Sequence, residues 1–309
     1  MLKLNLFFAL LIMMGACSDD DKQTNPPEET VNSPSATGLI YFQSTLNMDG
    51  SYSNLKTALA DNDNISIVQE LNHSQNATSV DLDLDPTQII FFGNPNLGTP
   101  LMQENQLAGL DLPQRVLFYE EKGETFALYN STEYLASRYG IGEVESLSQI
   151  SDALNNLVGT AVEAEAKETT RQSVELMEGI VSVKSSNDFE TTYNKLKSTL
   201  EANENISIVA ELDHQQNAES AGMELRPTKV IMFGNPNLGT PLMQSTRSIG
   251  LDLPQKMLVW EDASGTVNIS YNDPEFLKDR HQLDGNEEQI GQISNALEML
   301  ANAAGEIED

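Results

Sequence analysis

Apolar residues along this chain fall into short runs and stripes that occur twice, displaced by 141 positions. In the first copy they predict a strand at 39–43, then a helix over 52–60 whose buried face carries Leu55 and Leu59. A strand at 65–71, an irregular polar segment and a strongly apolar strand at 89–92 follow. A loop rich in Gly and Pro occupies 93–100, ahead of a short helix over 101–106. Apolar runs at 116–119 and 126–129, separated by Gly123, predict a hairpin. A helix over 132–139 leads to a longer one with Leu147, Ile150, Leu154 and Leu157 on a single stripe. The second copy returns every element, ending on the stripe Ile290, Ile293, Leu297 and Leu300. Strands with a hairpin among them and helices on one side predict an α+β fold with a mainly antiparallel sheet.

Identical residues show that the two copies are a duplication. The string FGNPNLGTPLMQ stands at 92–103 and again at 233–244, and GLDLPQ stands at 109–114 and 250–255. His73, Asn76 and Ala77 align with His214, Asn217 and Ala218 at the same offset. Self-similarity this long and collinear marks a tandem repeat, with units over 37–164 and 165–309. The strands at 89–92 and 116–119 are apolar on both faces, whereas a sheet with one wet face alternates apolar and polar residues. Helices cover only one face. The sheets of the two copies are therefore expected to pack against each other as a pseudo-dimer within one chain.

The beginning of the chain carries an address. Lys3 precedes an apolar run over 4–16, shorter than the roughly 20 helical residues a bilayer requires. Gly15 and Ala16 then lead to Cys17. This is the pattern of a signal peptide over 1–16. Met14-Gly15-Ala16-Cys17 looks like a lipobox, with Met14 where leucine is usual, and predicts an acylated Cys17 anchoring the protein in a membrane. Cys17 is the sole cysteine, so no intrachain disulfide can form. Residues 17–36 lack the apolar content to build a core and are expected to be a disordered tether. The acidic run at 18–21 resembles export tags of surface lipoproteins, and the expected location is the bacterial envelope, as an outer membrane lipoprotein.

Charge narrows the possible partners. With 47 acidic against 17 basic side chains the net charge is −30, a field that repels phosphate backbones and argues against nucleic acid. Three histidines, without a zinc or calcium motif, lead to the expectation of no metal and no cofactor.

Two motifs could carry chemistry. In the loop at 93–100 and its copy at 234–241, Thr99 could cap the next helix with Pro100 in its first turn, and free N–H groups could hold an anion. Turn geometry alone also accounts for the glycines and prolines there. His73 and His214, with Asn76 and Asn217, could orient a ligand or act as acid–base groups, or could tie an irregular segment to the fold. Asn94 and Asn235 lie in the loop itself. Only the second copy has Arg226, Asp273 and His281, where the first has Asp85, Ser131 and Tyr139. Either a polar pocket sits in the second copy or exposed caps have drifted. Together these nine residues are the candidate ligand set, and His214, Asn217 and Arg226 are the catalytic candidates.

In copy two, His214, Asn217–Ala218, 225–228, 233–243, 251–254, 259–262, 271–274 and 280–281 resemble the family called domain of unknown function 302. The resemblance implies a β-α-β-β-β-β-α unit similar to the TATA-binding-protein-like folds, with dimers common among single-copy members. It implies no reaction, and the first copy departs from it at Asp85, Ser131 and Tyr139. The expected role is a non-enzymatic envelope module that binds a small ligand or another envelope protein. The alternatives are a hydrolase-like or metal-assisted enzyme around His214, Asn217, Asn235 and Arg226, and a purely structural surface lipoprotein.

Overall fold

A computed structural model describes residues 32–306; the expected signal peptide, Cys17 and most of the expected tether lie outside the described residues. The first repeat begins with β1 (Leu39–Gln43), α1 (Met48–Ala60), β2 (Ser66–Asn72) and α2 (His73–Thr78). It continues through β3 (Thr87–Gly93), α3 (Pro95–Glu104) and a 3-10 helix (Gln106–Leu110). The hairpin β4 (Gln114–Glu121) and β5 (Glu124–Asn130) leads to α4 (Thr132–Tyr139) and α5 (Ser146–Val162). A two-residue strand, β6 (Lys167–Glu168), joins the repeats.

The second repeat has the same succession. It comprises β7 (Ile180–Lys184), α6 (Phe189–Glu201), β8 (Ser207–Asp213), α7 (His214–Ser220), β9 (Thr228–Gly234) and α8 (Pro236–Ser245). A 3-10 helix (Arg247–Leu251), β10 (Gln255–Glu261), β11 (Val267–Asn272), α9 (Pro274–His281) and α10 (Glu287–Gly305) complete it. Every pairing is antiparallel, in the orders β2-β3-β4-β5-β1-β6 and β7-β11-β10-β9-β8. This is the α+β architecture the patterning predicts, with two antiparallel sheets.

Local chemistry departs from the expectation in three places. The segment at 93–100 is not a loop: Asn94 caps α3 by accepting from the Asn96 N–H at 3.0 Å, and Pro95 takes the first turn. An Asn cap with proline directly behind it starts the helix earlier than Thr99 and Pro100 would, so Pro100 lies inside α3. The histidine segment is also helical, capped by Asn72 in one repeat and Asp213 in the other. Finally, the boundary at 164/165 falls too early. Residues 167–168 pair with Ile40 and Tyr41 on the outer edge of the first sheet, satisfying backbone groups that β1 would otherwise leave open. The last residues of the expected tether are also docked, since Ala36 is buried and Ser35 accepts a hydrogen bond from Gln282 at 3.0 Å.

The two faces of each sheet have different partners. Phe118 meets Tyr52 of α1 edge-on at 5.5 Å, so its side of β4 is covered by the repeat's own helices. Leu117, on the opposite side, faces the second repeat. The sheets meet directly where β2 approaches β8, and elsewhere short segments lie between them. Each 3-10 helix crosses over and lies on the other repeat's sheet, the first against β9–β11 and the second against β3–β5. Close approach requires glycine there: a Cβ on Gly109 would stand 2.9 Å from Leu258 Cδ1, and one on Gly250 would stand 3.2 Å from Leu117 Cδ1. The pseudo-dimer is thus an exchange of short segments between sheets.

A buried charge cluster closes this exchange. Asp111 and Asp252 follow the two 3-10 helices, and one Arg115 guanidinium nitrogen lies 2.8 Å from a carboxylate oxygen of each. Asp111 also accepts from Arg138 at 3.0 Å and Tyr139 at 2.7 Å. Asp252 accepts from Arg280 at 2.6 Å and lies 2.8 Å from His281 Nε2. Reciprocal bonds cross the interface, Arg138 donating to Asn272 at 2.9 Å and Arg280 to Asn130 at 2.6 Å. Burial alone would raise both aspartates, yet the guanidiniums hold them well below the usual carboxylate range. Cations outnumber carboxylates here, and burial with Arg115 nearby presses the Lys256 ammonium down to about 7.

Removing one partner from a buried ion cluster leaves charge that nothing compensates. Asp252→Asn is expected to lower unfolding stability by roughly 3–5 kcal/mol, measured by urea denaturation at neutral pH. A loss under about 1 kcal/mol would show the cluster to be dispensable.

Candidate functional site

Two cavities of about 460 and 340 Å³ open at quasi-equivalent places in the interface. The first is floored by Phe92, Leu97, Met102 and Leu112 with Ile150 and Leu154 of α5, and its far wall is Leu212, His214 and Asn217 of the second repeat. The second repeats this inversely, with Phe233, Leu238, Met243 and Leu253 below and Leu71, His73 and Asn76 of the first repeat opposite. The duplicated motif builds both floors because the N-terminal half of α3 (α8) and the Leu-Pro that follows the 3-10 helix converge there. The opposite wall is supplied by the His-x-x-Asn helix, which leans across from the partner sheet.

The structure therefore brings the candidates together in two sets. Asn94 joins His214 and Asn217, and Asn235 joins His73 and Asn76. The side-chain amides of Asn76 and Asn217 make no hydrogen bond among the described residues, whereas Asn94 and Asn235 use their carbonyl oxygens to cap α3 and α8. Gln114, which the patterning did not single out, lines the first cavity with a buried Nε2 that has no partner among the described residues. The buried hydroxyls of Thr99 and Thr240 are likewise unpartnered.

Both histidines are buried, and burial lowers each to about 4, opposed only in part by the facing backbone of Gly250 or Gly109. Among the described residues neither Nε2 has a partner in good hydrogen-bond geometry, the facing glycine backbone being its nearest polar neighbour, and a Cβ on Gly109 would lie 3.4 Å from His214 Nε2. At neutral pH they are uncharged rings packed under the other repeat's 3-10 helix.

Arg226, Asp273 and His281 do not share a pocket: Arg226 lines a separate opening with Gln103, Gln215 and Glu219, and each of the three has a counterpart doing the same structural work in the first repeat. Arg226 donates to Gln106 of the first repeat at 2.8 Å, and the equivalent positions carry the pair Arg247–Asp85 at 2.7 Å. Asp273 caps α9 as Ser131 caps α4. His281 meets Asp252 as Tyr139 meets Asp111. The asymmetry between copies is compensated pairing, so a site confined to copy two is not what the geometry provides. The catalytic candidates separate with it, because His214 and Asn217 share a cavity and Arg226 lies outside it.

A histidine held neutral in the folded state has a depressed pKa, so the unfolded chain binds more protons between the two values and stability falls as pH drops through that window. For His73 and His214 the window runs from 6.5 down to about 4, worth on the order of 3 kcal/mol each, and His281 is shifted in the same direction. Denaturation midpoints are therefore expected to fall steeply from pH 6.5 to 4. Replacing His73 and His214 with asparagine should flatten that slope, and an unchanged slope would contradict the assignment.

Residues 40–159 and 181–300 match the family described as Domain of unknown function DUF302. Among curated proteins, 105 residues (34% of this chain) are 42% identical to the Fluoride-specific ion channel FluC 1 of Brucella suis and to its namesake of Brucella abortus. The match spans 41% and 38% of those proteins, less than half of their length. No helix among the described residues is long and apolar enough to cross a membrane. Among solved structures, an uncharacterized conserved DUF302 protein from Bacillus stearothermophilus is similar at a TM-score of 0.38 and 18% identity, covering 41% of this chain and 98% of that one. With the family matched over both repeats, the chain belongs to the Domain of unknown function DUF302 family and carries that domain in tandem.

Proposed function

We propose that this protein is a two-site small-ligand-binding module, held in the bacterial envelope by a lipid on Cys17. The observation that carries the binding role is the pair of interface cavities, each joining one repeat's apolar floor to the other repeat's unpartnered asparagine. Cavities of this size, mostly apolar with a few polar groups, are what small-molecule sites have in common. Histidines packed neutral against glycine backbone favour binding over acid–base work. A fluoride role, suggested by the names of the Brucella relatives, would put an anion into a chain of net charge −30 and into cavities lined by neutral histidines but no Lys or Arg among the described residues.

Ala153 and Ala296 lie half-buried at equivalent places in the two cavities, so tryptophan there fills space without entering the core. Titration with the neutral fluorophore N-phenyl-1-naphthylamine is expected to saturate at two equivalents per chain. Ala153→Trp should reduce this to one equivalent, and adding Ala296→Trp should abolish it. Binding that ignores both substitutions would remove the cavities from consideration. For the anchor, metabolic labelling with palmitate is expected in the wild-type protein and lost in Cys17→Ser; an unlabelled wild type would refute lipidation.

A further inference from the structure

The lining of the cavities departs sharply from the rest of the molecule. The chain has 47 acidic and 17 basic side chains, yet among the described residues no Asp, Glu, Lys or Arg lines either cavity. Polar groups in the walls are the neutral rings of His214 and His73 with amides and hydroxyls, and the amides fall in matching pairs: Asn62 with Asn203, Asn64 with Asn205, and Gln114 with Gln255. Asn76 and Asn217 complete the set from the opposite repeat. The duplicated lining keeps these amides even where nearby contacts have exchanged acid for base, as at Asp85 and Arg226.

Resting on the binding reading above, we propose that each cavity takes an uncharged amphipathic molecule, an aliphatic or aromatic body bearing amide or hydroxyl groups. The body lies on the Phe, Leu and Met floor. Its polar group pairs with the free amide of Asn217 in the first cavity or Asn76 in the second, and in the first also with the orphaned Gln114 Nε2. Methionines at Met102 and Met243 adapt the floor to molecules of different outline. A carboxylate would enter without a cation to meet it and against the field of the whole protein. An ammonium would be drawn toward the acidic surface but would find no carboxylate inside, so it loses hydration without replacement. Neutral amides pay neither cost and satisfy donors and acceptors that the protein leaves open.

The test is competition against bound N-phenyl-1-naphthylamine by three molecules of equal chain length: octanamide, octanoate and octylammonium. Octanamide is expected to displace the fluorophore at a concentration at least about ten-fold below either charged analogue. Replacing Asn76 and Asn217 together with leucine should weaken octanamide about ten-fold. These amides bond no other described residue, so an unchanged melting temperature checks that the variant is folded. Octanoate or octylammonium competing as well as octanamide, or the leucine variant binding octanamide unchanged, would overturn the ligand class and leave the cavities standing. Failure of both the fluorophore and octanamide to bind, or binding indifferent to Ala153→Trp and Ala296→Trp, would instead overturn the cavities themselves.

Discussion

Two carboxylates and three guanidiniums, all withdrawn from water, hold the repeats together. Asp111 and Asp252 each end a 3-10 helix that has crossed to the other sheet, and Arg115 reaches both of them. Without its cationic partners each crossing segment would bring a lone carboxylate into an apolar interface, which is costly. Burial makes the cluster exacting, since each member is costly unless all are present. The reciprocal bonds from Arg138 to Asn272 and from Arg280 to Asn130 then set the relative position of the two sheets. Electrostatics here fixes geometry, while the apolar layers on either side supply most of the favourable free energy.

The cavities follow from that geometry. Each has its floor in one repeat and its far wall in the other, so neither exists in an isolated unit. Strand β2 contributes Ser66 and Val68 to the first cavity and Leu71 to the second, and β8 does the inverse with Ser207, Val209 and Leu212. A register shift falls between residues 67 and 69 of β2 and between 208 and 210 of β8, where the strands turn from one cavity to the other. The sites are therefore joined by shared walls as well as by symmetry.

Much of this is legible in the sequence, and what is not has identifiable causes. Period and repetition place the strands and the long helices, because Leu147, Ile150 and Leu154, for example, can share a face only in a helix. Strands 89–92 and 116–119, apolar on both faces, announce a covered second face. That the cover is a crossing 3-10 helix is a tertiary fact without a local signature. The helical start at Asn94 hides behind Pro100, which resembles a first-turn proline until the stronger cap upstream is weighed. Arg226, Asp273 and His281 look like a site in the sequence because their partners Gln106, α9 and Asp252 are distant or unremarkable along the chain. Pairing differences between copies against each other, Arg226 with Gln106 and Asp85 with Arg247, would have exposed the compensation. The floor motif FGNPNLGTPLMQ stands out in the sequence by its repetition, and in the fold its residues line the two cavities.

Separating the repeats tests most directly the claim that they complete each other. Fragments 32–174 and 175–309, expressed apart and then mixed, would be followed by sedimentation and thermal denaturation. Each alone is expected to self-associate or to lack a cooperative transition, and the mixture to form a one-to-one complex with a transition close to that of the intact chain. Two stable monomers, each melting near the temperature of the intact chain and indifferent to the other, would contradict the account.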